Sequence, residues 1–376
     1  MIISRTPYRI SFFGGGSDYH SWYQDHGGAV LTSSINHYSY IFARILPPFF
    51  AHKSLISWSH IEKVSEHAEI KHPLVKAALD FLQINYGVEI HHQGDLPARS
   101  GLGSSSAFTV GLLNALYNLE NKIIDKKTLA CEAIYIERHL VEDNVGVQDQ
   151  IETAFGGINK ITIAKNCDFT VEPIPVIINR LKQLKNSLLL FYTGISRTAS
   201  EIAKDKIKKI PDKSEVICKM QKQVDDAIEI LLNNNINIDN FGELLDQAWH
   251  LKKSISTQIS TDFIDKLYNK AKKSGAIGAK LLGAGGGGFL LVFAKPENHS
   301  KITHALKNLL LVPFEFETDG SRIIYYEQNK YSNAALHTRA FKHLNKNKKI
   351  AFNDINKTSN CEHITKIPFM PNGDKT

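Results

Sequence analysis

The segment Leu96–Ala107, LPARSGLGSSSA, constrains this chain more than any other, because two glycines and a run of serines open directly onto the helix-like stretch FTVGLLNALYNL. Gly101 and Gly103 let the backbone bend sharply and approach a ligand with no Cβ in the way. Ser104, Ser105 and Ser106 are placed to cap the helix that follows. The free N–H groups and the positive end of a helix dipole then face whatever anion sits there. The same pattern also serves as an ordinary structural cap, so on its own the segment is a candidate phosphate cradle.

Three further segments carry chemistry. In RTPYRISFFGGGSDY, the glycines Gly14 to Gly16 follow an alternating strand and turn the backbone close to a ligand; Asp18 then offers a carboxylate suited to sugar hydroxyls, or caps a tight turn. In LACEAIYIERHLVEDNVGVQDQ, a helix puts Leu129, Ala133, Ile136 and Leu140 on one apolar face, with Glu137 on its edge. An inward carboxylate needs a partner, either a magnesium ion or a buried arginine. Beyond Gly146, Asp149 lies between Gln148 and Gln150 and is either a turn residue or a base. In SGAIGAKLLGAGGGGFLLVF, Gly283, Gly285 and Gly288 satisfy GxGxxG but open onto a β-like run. The dinucleotide fingerprint must open a helix, and no Gly-Lys-Ser/Thr follows either glycine cluster, so both nucleotide motifs are excluded. What remains is a glycine loop that closes over a phosphate or packs against the first glycine loop.

The 376 residues suffice for two domains, and the hydrophobic share of 43% is that of a globular protein. No stretch is apolar enough to span a membrane and the N-terminus lacks the pattern of a secretory signal, which predicts a cytoplasmic protein. Cys131, Cys167, Cys218 and Cys361 are scattered and form no CxxC pair, so neither a disulfide framework nor a zinc site is expected. The net charge of +7 is concentrated in the tail: from Lys330 onward nine basic residues stand against three acidic ones. The remaining chain is nearly neutral, which argues against a nucleic-acid partner. Up to about Lys185, strand-like runs such as YSYIFARIL alternate with helical ones such as PLVKAALDFLQINY. A second unit begins with SLLLFYTG, runs through KSEVICKMQKQVDDAIEILLNN and FGELLDQAWHLKKSI, and closes with FLLVFAKP and SRIIYYEQ.

Together and in this order, the four segments resemble the GHMP kinase superfamily over most of residues 1–328. RISFFGGGSDY, GLGSSSA, GVQDQ and GAKLLGAGGGGF are most similar to its bacterial D-glycero-D-manno-heptose 7-phosphate kinases. The resemblance implies an α+β protein: a domain like ribosomal protein S5 domain 2 over 1–185 and a ferredoxin-like domain over 186–328. The basic tail over 329–376 departs from the family pattern and is expected to have no catalytic role. The resemblance also implies ATP and Mg²⁺ as cofactors, with Ser100, Gly101, Leu102, Gly103, Ser104, Ser105 and Ser106 as the phosphate loop and Ser104 or Ser105 with Glu137 as magnesium ligands. Asp149 corresponds to the carboxylate that activates the acceptor hydroxyl, and Arg9 to the arginine beside it. Gly15, Gly16, Asp18 and Gly286 correspond to the sugar side of the site. A sugar phosphate needs a second anion site, for which Arg5, Arg99, Arg197 and Lys280 are candidates. Arg197 is preferred because Thr198 and Glu201 form a capping box after it. The partners expected are therefore ATP and a small sugar phosphate, without nucleic acid or membrane, and self-association stays open. The rival readings are a kinase for a fucose-like sugar or an N-acetylhexosamine, and a non-catalytic sensor of sugar and ATP.

Overall fold

The computed structural model describes residues 1–47, 50–195, 204, 205 and 207–328; Arg197, its neighbours and the tail from 329 lie outside the described residues. β-Branched and aromatic side chains favour extended backbone in β1 (Ile2–Phe13) and β2 (Gly28–Ile45). These two strands pair antiparallel on either side of the helix α1 (His20–His26). They form the spine of an eight-stranded sheet. The first half of β2 pairs with β6 (Ile158–Ile163) and its second half with β5 (Val88–Gly94). Beyond β5, β3 (Ser54–Ser57) adds in parallel and β4 (Ile61–Val64) antiparallel, while β7 (Phe169–Pro173) extends β6.

Burial along β2 records what covers the sheet. From Ser39 to Ile45 it alternates, as expected when one face is packed and the other is not; from Gly28 to Ile35 every residue is buried. The packed face carries α2 (Pro73–Phe81), α3 (Ser104–Leu119), α4 (Lys126–Tyr135) and α5 (Gln148–Phe155), whose Val75, Leu112, Ala133 and Ile151 share a core with Ile41 of β2. On the opposite face Ile10, Phe12 and Leu31 meet the second unit at Leu190, Val224, Phe241 and Phe293. Phe241 stands edge-on to Phe12 and Phe13, with ring centroids 5.4 and 5.1 Å apart, an arrangement worth about 0.5–1.5 kcal/mol per pair beyond area burial.

The second unit holds β8 (Leu188–Tyr192), β9 (Ala276–Leu281), β10 (Phe289–Ala294) and β11 (Leu310–Leu311) in the antiparallel order β11-β8-β10-β9. Helices Ser214–Leu232, Asp239–Ile255 and Asp262–Lys273 lie between β8 and β9, and His299–Ala305 lies between β10 and β11. This is the ferredoxin-like pattern expected from the resemblance.

Two elements differ from the sequence reading. SRIIYYEQ does not close the second unit. Instead β12 (Arg322–Tyr326) pairs with β1 in the first sheet, with Ile2 opposite Tyr326 and Arg5 opposite Arg322, so the chain crosses back after β11. The helix over PLVKAALDFLQINY stops at Phe81, because Gln83 takes a left-handed conformation (φ +55°) that a right-handed helix cannot include. At the junction of α3 and α4 the buried Glu132 accepts the Tyr117 hydroxyl at 2.8 Å on both carboxylate oxygens. Burial outweighs that bond and lifts its pKa from 4.5 to about 7. Between these values the unfolded chain ionises while the native chain keeps its proton, so Glu132 makes stability fall as pH rises through this window and adds nothing further above it. Glu132→Gln should lose roughly 1 to 3 kcal/mol less stability than the wild type between pH 4.5 and 7.5, read from urea midpoints. Parallel pH profiles would contradict this.

Candidate active site

Arg9 lies within β1, where both faces of the sheet are covered, and its side chain is almost fully buried. Its guanidinium makes a two-pronged contact with Asp149, Nε to Oδ1 at 2.7 Å and Nη2 to Oδ2 at 2.6 Å, while Nη1 donates to the Gly101 carbonyl at 2.8 Å. The Arg9 backbone N–H also donates to the Leu102 carbonyl at 3.0 Å. One residue therefore fixes both the carboxylate and the turn of the phosphate loop, in the planar geometry that suits arginine and not lysine. Asp149 is in the first turn of α5, where the helix dipole favours negative charge, and its side chain keeps 28% of its surface exposed, so a ligand can reach it. Gln148 Nε2 donates to Asp149 Oδ1 at 3.1 Å, and the Ser11 hydroxyl anchors Gln148 at 2.9 Å.

The phosphate loop differs from the sequence reading in one detail. The N-cap of α3 is Gly103, in the left-handed conformation (φ +74°) and without a side-chain cap, so the serines form the first turn and do not cap it. The N–H groups of that turn consequently point out of the helix end. The Ser104 hydroxyl accepts the Arg99 N–H at 3.1 Å, Ser105 is exposed, and the Ser106 hydroxyl is buried and donates to Glu137 Oε2 at 3.1 Å. The Ser100 hydroxyl is buried and has no hydrogen-bond partner among the described residues. A Cβ on Gly103 would lie 3.2 Å from Arg9 Cγ and 3.5 Å from Asp149 Oδ2, which puts the loop directly on the charged pair.

Glu137 faces the interior, as expected, but from a turn that an α-helical period does not describe. After Tyr135 the helix widens into a π turn over Ile136–Leu140, closed by Val141 N–H on the Ile136 carbonyl at 2.9 Å. The wider turn leaves Leu140, expected on the apolar face, 43% exposed, and brings Glu137 to full burial. Its Oε2 accepts Gln150 Nε2 at 2.7 Å as well as Ser106, and the Thr109 hydroxyl lies close to the carboxyl; Oε1 is buried and makes no well-formed hydrogen bond with any of the described residues. Burial lifts its pKa to about 7, with the donor groups around it acting in the opposite direction. A buried carboxylate oxygen without a partner beside a hydroxyl suits a hard cation. Among the described residues no group of three or more His, Cys, Asp or Glu could hold a metal by itself, so a cation here would complete its shell from phosphate oxygens and water.

The first glycine loop presents Asp18, whose Oδ1 accepts the Gly16 N–H at 2.8 Å. Gly146 faces it so closely that a Cβ would sit 1.9 Å from Asp18 Oδ2. Around Gly15 a Cβ would meet only the Ser11 hydroxyl, at 3.4 Å, so this turn leaves space. Burial raises the pKa of the Tyr19 phenol, and the fields of Asp18 and Asp149 add to this.

The third glycine loop packs against the phosphate loop, not the first loop. A Cβ on Gly283 would come within 2.3 Å of Gly101 Cα, and one on Gly288 within 2.2 Å of the Ser100 carbonyl. Gly286 donates its N–H to the Ile259 carbonyl at 2.9 Å. Two buried lysines hold these loops: Lys252, which no motif marked, and Lys280, one of the anion-site candidates. Lys252 Nζ donates to the Leu281 and Gly283 carbonyls at 2.7 and 2.6 Å, and Lys280 Nζ to the Ser11 and Phe12 carbonyls at 3.2 and 2.5 Å. Lys280 thus joins the two sheets just before the first glycine loop. Of the other anion-site candidates, Arg5 stacks 4.2 Å over Tyr38 and lies 3.6 Å from Glu317, Arg99 is exposed at the edge of the phosphate loop, and Arg197 is outside the described residues.

The model of the GHMP kinases N terminal domain matches residues 73–157, which run from α2 through the phosphate loop, Glu137 and Asp149, and the model of the GHMP kinases C terminal domain matches residues 227–310. The chain belongs to the GHMP kinases. This GHMP kinase is 28% identical over 323 residues to the D-glycero-alpha-D-manno-heptose 7-phosphate kinase of Campylobacter jejuni, covering 81% of the chain and 93% of that protein. It is 25% identical to the galactokinase of Pyrococcus furiosus, over 84% of the chain and 95% of that protein. In three dimensions it is similar to the D-glycero-D-manno-heptose 1-phosphate kinase of Bacteroides thetaiotaomicron, with a TM-score of 0.72 and 22% identity over 87% of the chain and all of that structure. The GHMP kinase described here is an ATP-dependent kinase. No helix among its described residues is long and apolar enough to cross a membrane. Gly103→Ala would add a methyl group against Arg9 at a left-handed position, and should lower kcat by about tenfold or more while leaving the fold intact by circular dichroism. A wild-type kcat would contradict the packing of the loop on the charged pair.

Proposed function

We propose that the protein transfers the γ-phosphoryl group of ATP to the anomeric hydroxyl of D-glycero-D-manno-heptose 7-phosphate, giving the 1,7-bisphosphate on a route to GDP-heptose and surface polysaccharide. The observation that carries this reading is the reachable Asp149 carboxylate, gripped by Arg9 beside the N-terminus of α3. Phosphoryl transfer needs positioning and neutralised charge more than covalent chemistry from the protein. The N–H groups of the first turn of α3 receive the ATP phosphates. Asp149 accepts the proton of the acceptor hydroxyl as that oxygen bonds to the γ-phosphorus and the bond to the ADP oxygen breaks. Arg9 holds Asp149 in place and balances its charge. Asp18 binds sugar hydroxyls, Gly16 orients it through its N–H, and the open space around Gly15 admits a sugar with a longer side chain. Glu137, with a serine hydroxyl of the first turn of α3, would hold a magnesium ion whose role is to neutralise the phosphates.

The similarity to heptose phosphate kinases over most of the chain supports this choice of acceptor. The test is an assay of ATP and Mg²⁺ with heptose 7-phosphate, mannose 6-phosphate, fucose and galactose. Turnover restricted to the phosphorylated heptose, and lowered about 10²–10⁴-fold or more in Asp149→Asn, is the expected result. Turnover with a free sugar would move the acceptor to another branch of the family, and silence with all four would favour a sensor.

A further inference from the structure

One buried carboxyl near the site has no part in the steps above. Glu152 lies one turn after Asp149 on α5 and is fully buried. Its Oε1 is 2.9 Å from the Ser34 hydroxyl and its Oε2 accepts Asn159 Nδ2 at 2.9 Å. Ser34 is the residue directly opposite Arg9 in the pairing of β1 with β2, and Asn159 is on β6, opposite Thr32. The helix that carries Asp149 is thus pinned, through this carboxyl, to the strand neighbour of the arginine that Asp149 must meet. The other polar ties of α5 run to β1 through Gln148 on Ser11, to the turn that carries Glu137 through Gln150, and to the segment before β12 through the Thr153 carbonyl, which accepts the Ser321 N–H at 2.9 Å; Glu152 alone among these ties it to β2 and β6.

We propose that Glu152 is a positioning residue for phosphoryl transfer, holding α5 against β2 and β6 so that Asp149 and Arg9 stay in their two-pronged contact, and that it does so in its neutral form. This rests on the reading of Asp149 as the group that activates the acceptor. The surroundings favour a neutral carboxyl. β2 and β6 present it with uncharged Ser34 and Asn159, and α3 has no charged residue from Ser104 to Leu119. The charged groups near it are Arg9 on β1, already held by Asp149, and Asp149 itself. On neighbouring elements, Glu137 is engaged by Gln150, Lys160 of β6 by Asp225, and Lys126 by the Phe155 carbonyl. Of the acidic groups before β12, Glu317 is turned to Tyr38 and Asp319 to Arg322. Burial accordingly pushes the Glu152 carboxyl up to about 8, with the donors and Arg9 opposing. On ionising, it would draw on Arg9 in competition with Asp149.

The experiment compares Glu152→Gln, Glu152→Ala and Asp149→Asn as full-length proteins, by kcat and KM from pH 6 to 9 with ATP, Mg²⁺ and heptose 7-phosphate. It is joined by a ¹³C-carboxyl NMR titration of the ligand-free protein. Glu152→Ala should lower kcat about tenfold or more with KM for ATP changed less than twofold, because a displaced base costs rate and not nucleotide binding. Glu152→Gln, which keeps the shape and neutrality of the carboxyl, should restore kcat at pH 7 to within about twofold and remove an alkaline fall in kcat centred near pH 8. The titration should show a carboxyl inflecting near pH 8 that is absent from Glu152→Gln. Wild-type kcat and pH profile in Glu152→Ala, or an alkaline fall and NMR inflection that persist in Glu152→Gln, would overturn the proposal. Full turnover by Asp149→Asn would overturn the reading of the site itself; loss in Asp149→Asn with no change in the Glu152 variants would overturn the positioning role alone.

Discussion

The site depends on one guanidinium. Arg9 has five N–H donors in a rigid plane, and the fold directs them at two things that phosphoryl transfer must bring together: the Asp149 carboxylate and the carbonyl of Gly101 in the phosphate loop. A buried arginine without such partners would be costly, so the sequence cannot keep Arg9 at this position without also keeping a carboxylate at the start of α5 and a tight turn at Gly101. Its backbone adds a further tie to Leu102. The contacts of the site therefore derive largely from a single position on β1, the strand that also takes part in both cores.

Around that pair the glycine loops meet by backbone contact. Gly283 on Gly101 and Gly288 on Ser100 leave no room for a methyl group, so the second unit reaches the phosphate loop without any side chain between them. Lys252 and Lys280 hold this arrangement by spending their charge on carbonyls, which lets two chain segments with no side chains of their own keep a fixed separation. α5 is set in the same economical way. Gln148 and Asp149 tie it to β1, Gln150 to the π turn and Glu152 to β2 and β6, and the result is a carboxylate whose position is determined from several sides.

Much of this was legible in the sequence. The glycine and serine runs mark positions where only small residues permit the turn, and Gly101, Gly103 and Gly283 all prove to have left-handed backbones. The alternation of β1 and β2 and the apolar run after Gly288 gave the strands. The parts that could not be read depend on long-range packing or on a local break in periodicity. Glu137 faces inward as expected, but Leu140 follows an α-helical period only on paper, and the π turn that turns it out has no signature in residue type. β12 reads as a strand wherever it goes, and its pairing with β1 is decided by the first sheet having a free edge. Lys252 sits in a helix of ordinary amphipathic pattern, and Glu152 in a motif whose neighbours draw all the attention. Buried charged residues of this kind show themselves only once their carbonyl and hydroxyl partners, distant in sequence, are folded around them.

The claim that Arg9 and Asp149 act as a unit is tested most directly by a double-mutant cycle on kcat, with Arg9→Met, Asp149→Asn and the pair combined. If the arginine works largely through the carboxylate, Arg9→Met should slow Asp149→Asn by much less than it slows the wild type, the small remainder being its contact with Gly101, a non-additivity characteristic of residues that share one role. Losses that multiply would mean that Arg9 and Asp149 serve the reaction separately, and would contradict the account.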